Sequence, residues 1–167
     1  MGQTDGGDVA DGLVAEGLVA EGLVAEGSVD VATVAAALDI RNLVARVAQV
    51  ADHGDLEEYA DLYTEDADWE MPGAPRHGVA DIMDGARQRR TEGVTGPGSA
   101  TRHVITTLSV EVADPSEGTG EATADSYFLF FRDTTTAPTL FNMGYYHDTI
   151  RHVGGRWRIA RREITLG

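Results

Sequence analysis

The order of hydrophobic patterns along the chain constrains its fold more than any other feature. Helical periodicity comes first and strand periodicity follows, with little mixing. Residues 101–113, 121–133, 139–152 and 156–166 are long segments rich in Val, Ile, Thr, Tyr and Phe, the residues that suit a pleated, half-buried surface. Turn-forming residues separate them: Asp114–Gly118, Asp133–Pro138, and the compact Gly154-Gly155 pair that reads as a hairpin turn. Upstream, Asp30 is a candidate N-cap for a helix through Val34, Leu38, Ile40, Leu43, Val44, Val47 and Val50, which Gly54 ends. Asp55 then caps a short second helix with Leu56, Tyr59, Leu62 and Tyr63. Asp66–Met71 alternates like a short strand, Pro72–Pro75 is a loop, residues 78–90 form a third helix, and 91–100 is a Gly-rich loop. Three helices preceding a four-stranded antiparallel meander define an α+β fold with the helices on one side of the sheet.

Residues 1–29 stand apart. They carry an exact pentapeptide repeat, Leu13–Gly17, Leu18–Gly22 and Leu23–Gly27. A five-residue step advances a helix by about 500°, so successive leucines form no stripe. In a strand the odd period alternates faces, and a Gly in every repeat weakens both structures. We read 1–29 as a flexible acidic tail and 30–167 as the folded domain. Residues 1–39 hold eight acids and no base, so about half of the net charge of −15 belongs to the tail region.

This charge argues against a nucleic-acid partner, because phosphate binding needs a basic surface. There is no cysteine, which excludes disulfides, thiolate nucleophiles and Cys-based metal sites. There is no lysine either, since all 13 basic residues are Arg, and Schiff-base chemistry goes with it. No apolar run reaches the roughly 18 residues that cross a membrane, and no basic segment precedes an apolar one, so the expected location is the cytoplasm. His147, Asp148 and His152 invite a metal site. However, positions 147 and 152 differ by an odd number and point to opposite faces of a regular strand, so no metal is expected.

The candidate chemistry lies in two residues on different elements. Asp52 ends the first helix and His103 begins the first long strand. If the fold joins them, an Asp–His dyad moves protons beside an apolar pocket without metal or cofactor. Regular alternation puts His103 with Ile105, Thr107 and Ser109 on one face of its strand. In the next strand Tyr127, Leu129 and Phe131 oppose Ser126, Phe128 and Phe130, and the pattern leaves both faces open as pocket lining. Tyr63, Trp69, Met71 and Tyr127 are pocket-wall candidates, with Tyr63 or Tyr127 a candidate acid for polarising a substrate carbonyl. Among the clustered arginines of the last hairpin, Arg161 shares the parity of Trp157 and Ile159 and is a candidate to reach the pocket.

Several segments together carry a family resemblance: Leu38–Leu43; Asp52–Asp55 followed by Tyr59, Leu62-Tyr63 and Asp66–Glu70; Gly78 with Ile82; Arg102-His103; Gly144–Asp148; and Gly155–Ile159 with Arg161-Arg162. Through them, residues 33–166 resemble the SnoaL-like branch of the nuclear transport factor 2-like (NTF2-like) superfamily. The resemblance implies a cone, an α+β barrel in which a curved antiparallel sheet wraps three N-terminal helices around an apolar pocket. It places Asp52 and His103 where dehydratase and dehydrochlorinase members keep a catalytic Asp–His dyad. Scytalone dehydratase has a tyrosine before that aspartate, where this chain has Ala51. The implied activity is a cofactor-independent dehydratase, isomerase or polyketide cyclase type of reaction on a small hydrophobic cyclic compound. The rival is a non-catalytic pocket or partner-packing module, like the small subunits of ring-hydroxylating dioxygenases. The resemblance also implies a homodimer.

Overall fold

In the computed structural model, residues 30–113 and 120–167 are described; the repeat-bearing tail and the turn at 114–118 lie outside the described residues. Helices α1 (Val31–His53) and α2 (Leu56–Asp61) lead into strand β1 (Tyr63–Glu70) and the two-residue β2 (Arg76–His77), followed by α3 (Gly78–Thr91). Four long strands complete the chain: β3 (Arg102–Val112), β4 (Glu121–Arg132), β5 (Thr139–Val153) and β6 (Arg156–Leu166). They form one curved sheet in the order β2-β1-β6-β5-β4-β3. The antiparallel meander expected from the sequence is there, but it is only part of the sheet. β1 pairs in parallel with β6, and β2 pairs with β1 at the edge, so the sheet has six strands and remains open between β2 and β3. The second helix is shorter than its sequence suggested, because Tyr63 already belongs to β1.

The helices pack into the concave face. From α1, Ile40, Val44, Val47 and Val50 are buried against Ile82 of α3 and against Phe128, Ile150 and Ile159 of the sheet. Full burial of each such side chain stabilises the fold by about 1.5–3 kcal/mol. Val34 and Leu38, expected on the same apolar face, are exposed, and the buried stretch of α1 begins at Ile40. Asp30 and Asp55 occupy the N-cap positions with extended backbones, but neither carboxylate accepts a capping hydrogen bond. Gly54 ends α1 through close approach and not through a left-handed turn: its φ is −89°, and a Cβ there would lie 2.8 Å from the Val50 backbone. Arg90 completes this end by donating to the carbonyls of Val50 and Gly54.

Three irregularities decide which side chains face inward. In β3, Thr107 and Leu108 together oppose Ser126 of β4, and Thr107 has a φ of +49°. This β-bulge reverses the alternation. Leu108, Val110 and Val112 therefore join His103 and Ile105 on the inner side, and Ser109 turns out, contrary to regular alternation. Phe141 is the extra residue of β5 opposite β4. Ala160 is the extra residue of β6 opposite β5, which turns Arg162 inward and leaves Arg161 outside.

Candidate active site

Asp52 lies in the last turn of α1, the turn that packs nearest the start of β3. One carboxylate oxygen sits 2.7 Å from Nδ1 of His103 and the other accepts the His103 backbone N–H at 2.8 Å. A single side chain thus fixes both the ring and the strand that carries it. With an ionised carboxylate and a neutral imidazole, Nδ1 holds the proton of this hydrogen bond and Nε2 keeps a lone pair. The Asp52 side chain is 3% exposed, whereas that of His103 is 17% exposed and borders the cavity. The ring of Phe130 lies 4.5 Å from the imidazole, centroid to centroid, and limits its rotation.

The cavity encloses about 200 Å³ between the helices and the inner sheet face. Trp69, near the end of β1, and Met71, just after that strand, line it. Tyr63 does not: it is buried one layer behind, its hydroxyl 3.0 Å from that of Tyr59, which does line the cavity. Tyr127 is on the opposite side of the sheet, 47% exposed and edge-on to Tyr145. The inner face of β4 is instead the Ser126–Phe128–Phe130 face. Neither Tyr63 nor Tyr127 can therefore be the acid that meets a substrate carbonyl. The phenols at the cavity are Tyr59 and Tyr146. Burial raises the pKa of Tyr146, which stays a protonated donor.

Arg161 faces outward, paired with Glu70 and Glu163. Arg162 enters the floor of the cavity and makes two 2.7 Å hydrogen bonds to Asp148, itself fully buried. Its guanidinium carbon lies 4.2 Å from the Tyr146 ring centre. Burial works against the charge of Arg162, but the Asp148 carboxylate outweighs it and holds the guanidinium's pKa well above its ordinary value. Sequence periodicity missed this residue because the bulge at Ala160 breaks the count. It also passed over Arg89 and Arg90, although their spacing of three and four from Ala86 places all three on one helical face, the face that lines the cavity.

Among the described residues no cluster of three or more His, Asp or Glu is placed to hold a metal ion. His147 faces out and pairs with Asp125 at 2.6 Å, Asp148 is inside with Arg162, and His152 packs on Trp157. His53 closes α1 and His77 belongs to β2, where it pairs with Asp68. No described helix is long and apolar enough to cross a membrane.

A curved sheet around three helices, with a cavity on its concave side, defines a protein of the nuclear transport factor 2-like class. The sequence model of the SnoaL-like domain matches residues 32–163, and the chain belongs to that family. No functionally curated protein matches it in sequence. Among solved structures, a nuclear transport factor 2-like protein of cystatin-like fold from Novosphingobium aromaticivorans is similar at 26% identity and a TM-score of 0.67, covering 84% of this chain and 92% of its own. A protein provisionally described as a scytalone dehydratase, from the same organism, shares the fold at 22% identity and a TM-score of 0.60, over 78% and 83% of the two chains. ActVI-ORFA from Streptomyces coelicolor does so at 22% identity and a TM-score of 0.63, over 77% and 95%.

Proposed function

We propose that the chain is an acid–base enzyme of the dehydratase, isomerase or cyclase type, acting on a small hydrophobic cyclic or polyketide-like compound. His103 Nε2 removes a proton from carbon beside a carbonyl, and Asp52 orients the ring and stabilises the imidazolium that forms. Tyr146 donates toward the carbonyl oxygen as it gains negative charge. The observation that supports this reading is the two-point grip of Asp52 on His103. It presents one ring nitrogen, with its lone pair, to an aromatic cavity. Such a pair exchanges protons by itself, so the proposed step calls on no cofactor. Family membership and the fold shared with a protein described as a scytalone dehydratase agree with it.

The reading is tested with 2-tetralone, a cyclic ketone with exchangeable protons beside its carbonyl. Proton NMR in D2O should show catalysed exchange by the wild-type chain and none by His103→Ala, with circular dichroism checking that the variant, which leaves the buried Asp52 carboxylate without its imidazole partner, is folded at the assay temperature. Asp52→Asn should also fail, by about 10²–10⁴-fold, the range a positioned acid–base group contributes. The Asn oxygen still accepts the His103 backbone N–H, but its amide donates to Nδ1 and moves the ring proton to Nε2. Equal exchange by wild type and His103→Ala would refute the proposal.

A further inference from the structure

We propose, building on the acid–base reading, that the natural ligand is an anion: a ring compound bearing a carboxylate that Arg89 and Arg132 bind while its apolar body fills the cavity. The charges around the cavity carry this. Four arginines border it, Arg89, Arg90, Arg132 and Arg162, together with His103, and among the described residues no Asp or Glu does so. Such a lining runs against the composition, for the chain holds 28 acids against 13 arginines. Elsewhere the acids are used: Arg46, Arg76, Arg87, Arg151 and Arg161 each pair with a carboxylate.

The four guanidiniums are not equivalent. Arg162 is neutralised by Asp148 and Arg90 is held by two backbone carbonyls. Arg89 and Arg132 make no ion pair among the described residues. Each lies over an aromatic ring of the cavity, Arg89 at 5.0 Å from the centre of Trp69 and Arg132 at 3.2 Å from that of Phe141. Guanidiniums stacked on rings keep their edge N–H groups free for a planar acceptor, the geometry a carboxylate matches with two hydrogen bonds. Arg132 and Phe141 are exposed and mark the mouth, while Tyr59, Tyr146 and Arg162 are buried at the floor. The anion therefore sits toward the mouth and the ring system inward, past His103. The acidic surface does not prevent this, since charges more than about 8 Å away are screened at physiological salt. The volume, about 200 Å³, lies below the roughly 300–1,000 Å³ of pockets for drug-sized ligands and suits a compact ring acid.

The test compares 2-naphthoate with 2-naphthamide, a neutral compound of the same shape, by titration calorimetry at neutral pH. The naphthoate should bind at least tenfold more tightly. Arg89→Gln combined with Arg132→Gln should remove that preference and leave amide affinity unchanged, with the melting temperature as the control for folding. His103→Ala should keep the preference. Equal affinity for the two compounds, binding of neither, a preference surviving in the double arginine variant, or its loss in His103→Ala would each overturn the proposal. The tetralone exchange experiment involves no carboxylate, so failure of the acid–base reading shows there independently of this result.

Discussion

Arg162 and Asp148 are the charges that this interior holds at greatest cost, and each depends on the other. Both are buried, and their two parallel hydrogen bonds satisfy them together. Removing one partner leaves the other desolvated without compensation, which typically costs about 3–5 kcal/mol. Asp148→Asn should lower stability in urea denaturation by that order, and Asp148→Leu combined with Arg162→Met should recover much of the loss. A double variant as unstable as the single one would show that the pair does more than neutralise itself. Asp125 sets up a different case on the outer sheet face. Its carboxylate accepts from Tyr145 and lies against His147. The hydrogen bond to Asp125, with some burial, pushes the Tyr145 pKa up from 10.0 to about 12. Because the folded-state pKa is the higher, this contribution to stability is fully present below pH 10 and is lost as pH rises toward 12. Absorbance titration at alkaline pH should find one phenol with a midpoint of about 12, moving down toward 10 in Asp125→Asn.

At the scale of elements, the bulges carry most of the information that periodicity does not. Thr107 adopts a positive φ that glycine accepts freely and a β-branched residue resists. Thr107→Gly should therefore raise stability, by about 0.5–1 kcal/mol in urea denaturation, while leaving the His103 face unchanged; a loss of stability would mean that the threonine side chain holds the bulge. Nothing in Thr106-Thr107-Leu108 announces a bulge, and so alternation read from His103 is right as far as Thr106 and inverted beyond it. The same effect at Ala160 exchanged Arg161 for Arg162. What could be read from the sequence was local: the three helices, the four long strands, the Gly154-Gly155 turn, and Trp69 and Met71 beside a cavity. What could not be read depended on distant partners. The parallel pairing of β1 with β6 joins Tyr63 to Ile159, and no short-range pattern encodes it. The sequence does not choose the inner face of β4, which is aromatic on both sides; packing against the helices chooses it and leaves Tyr127 outside. Asp52 and His103 illustrate the intermediate case. Each was visible as the end of an element, but periodicity says nothing of a distance between helix and strand, and only the resemblance suggested that they meet.

For the whole molecule, the convex side of the sheet carries apolar side chains that no helix among the described residues covers. Val104, Leu129 and Met143 form one cross-strand row on its convex face, and Tyr127 and Tyr145 another in the register of β3, β4 and β5. Val104, Tyr127 and Met143 are all substantially exposed. Contiguous apolar rows of this kind mark association surfaces. We propose that two copies pair through this face. Sedimentation velocity should find a dimer at micromolar concentration and a monomer for Met143→Glu; a monomeric wild-type chain would overturn it. The parallel β1–β6 pairing has a further consequence, for synthesis. β6 contributes Arg162, Ile164 and Leu166 to the cavity and is the lateral partner of β1. Until residues 156–166 have left the ribosome, β1 and β5 lack the strand that joins them and the cavity lacks Arg162, Ile164 and Leu166. The facing edges of β1 and β5 stay unpaired until then, so nascent chains that have not yet released β6 are the form of this protein that chaperones should hold longest.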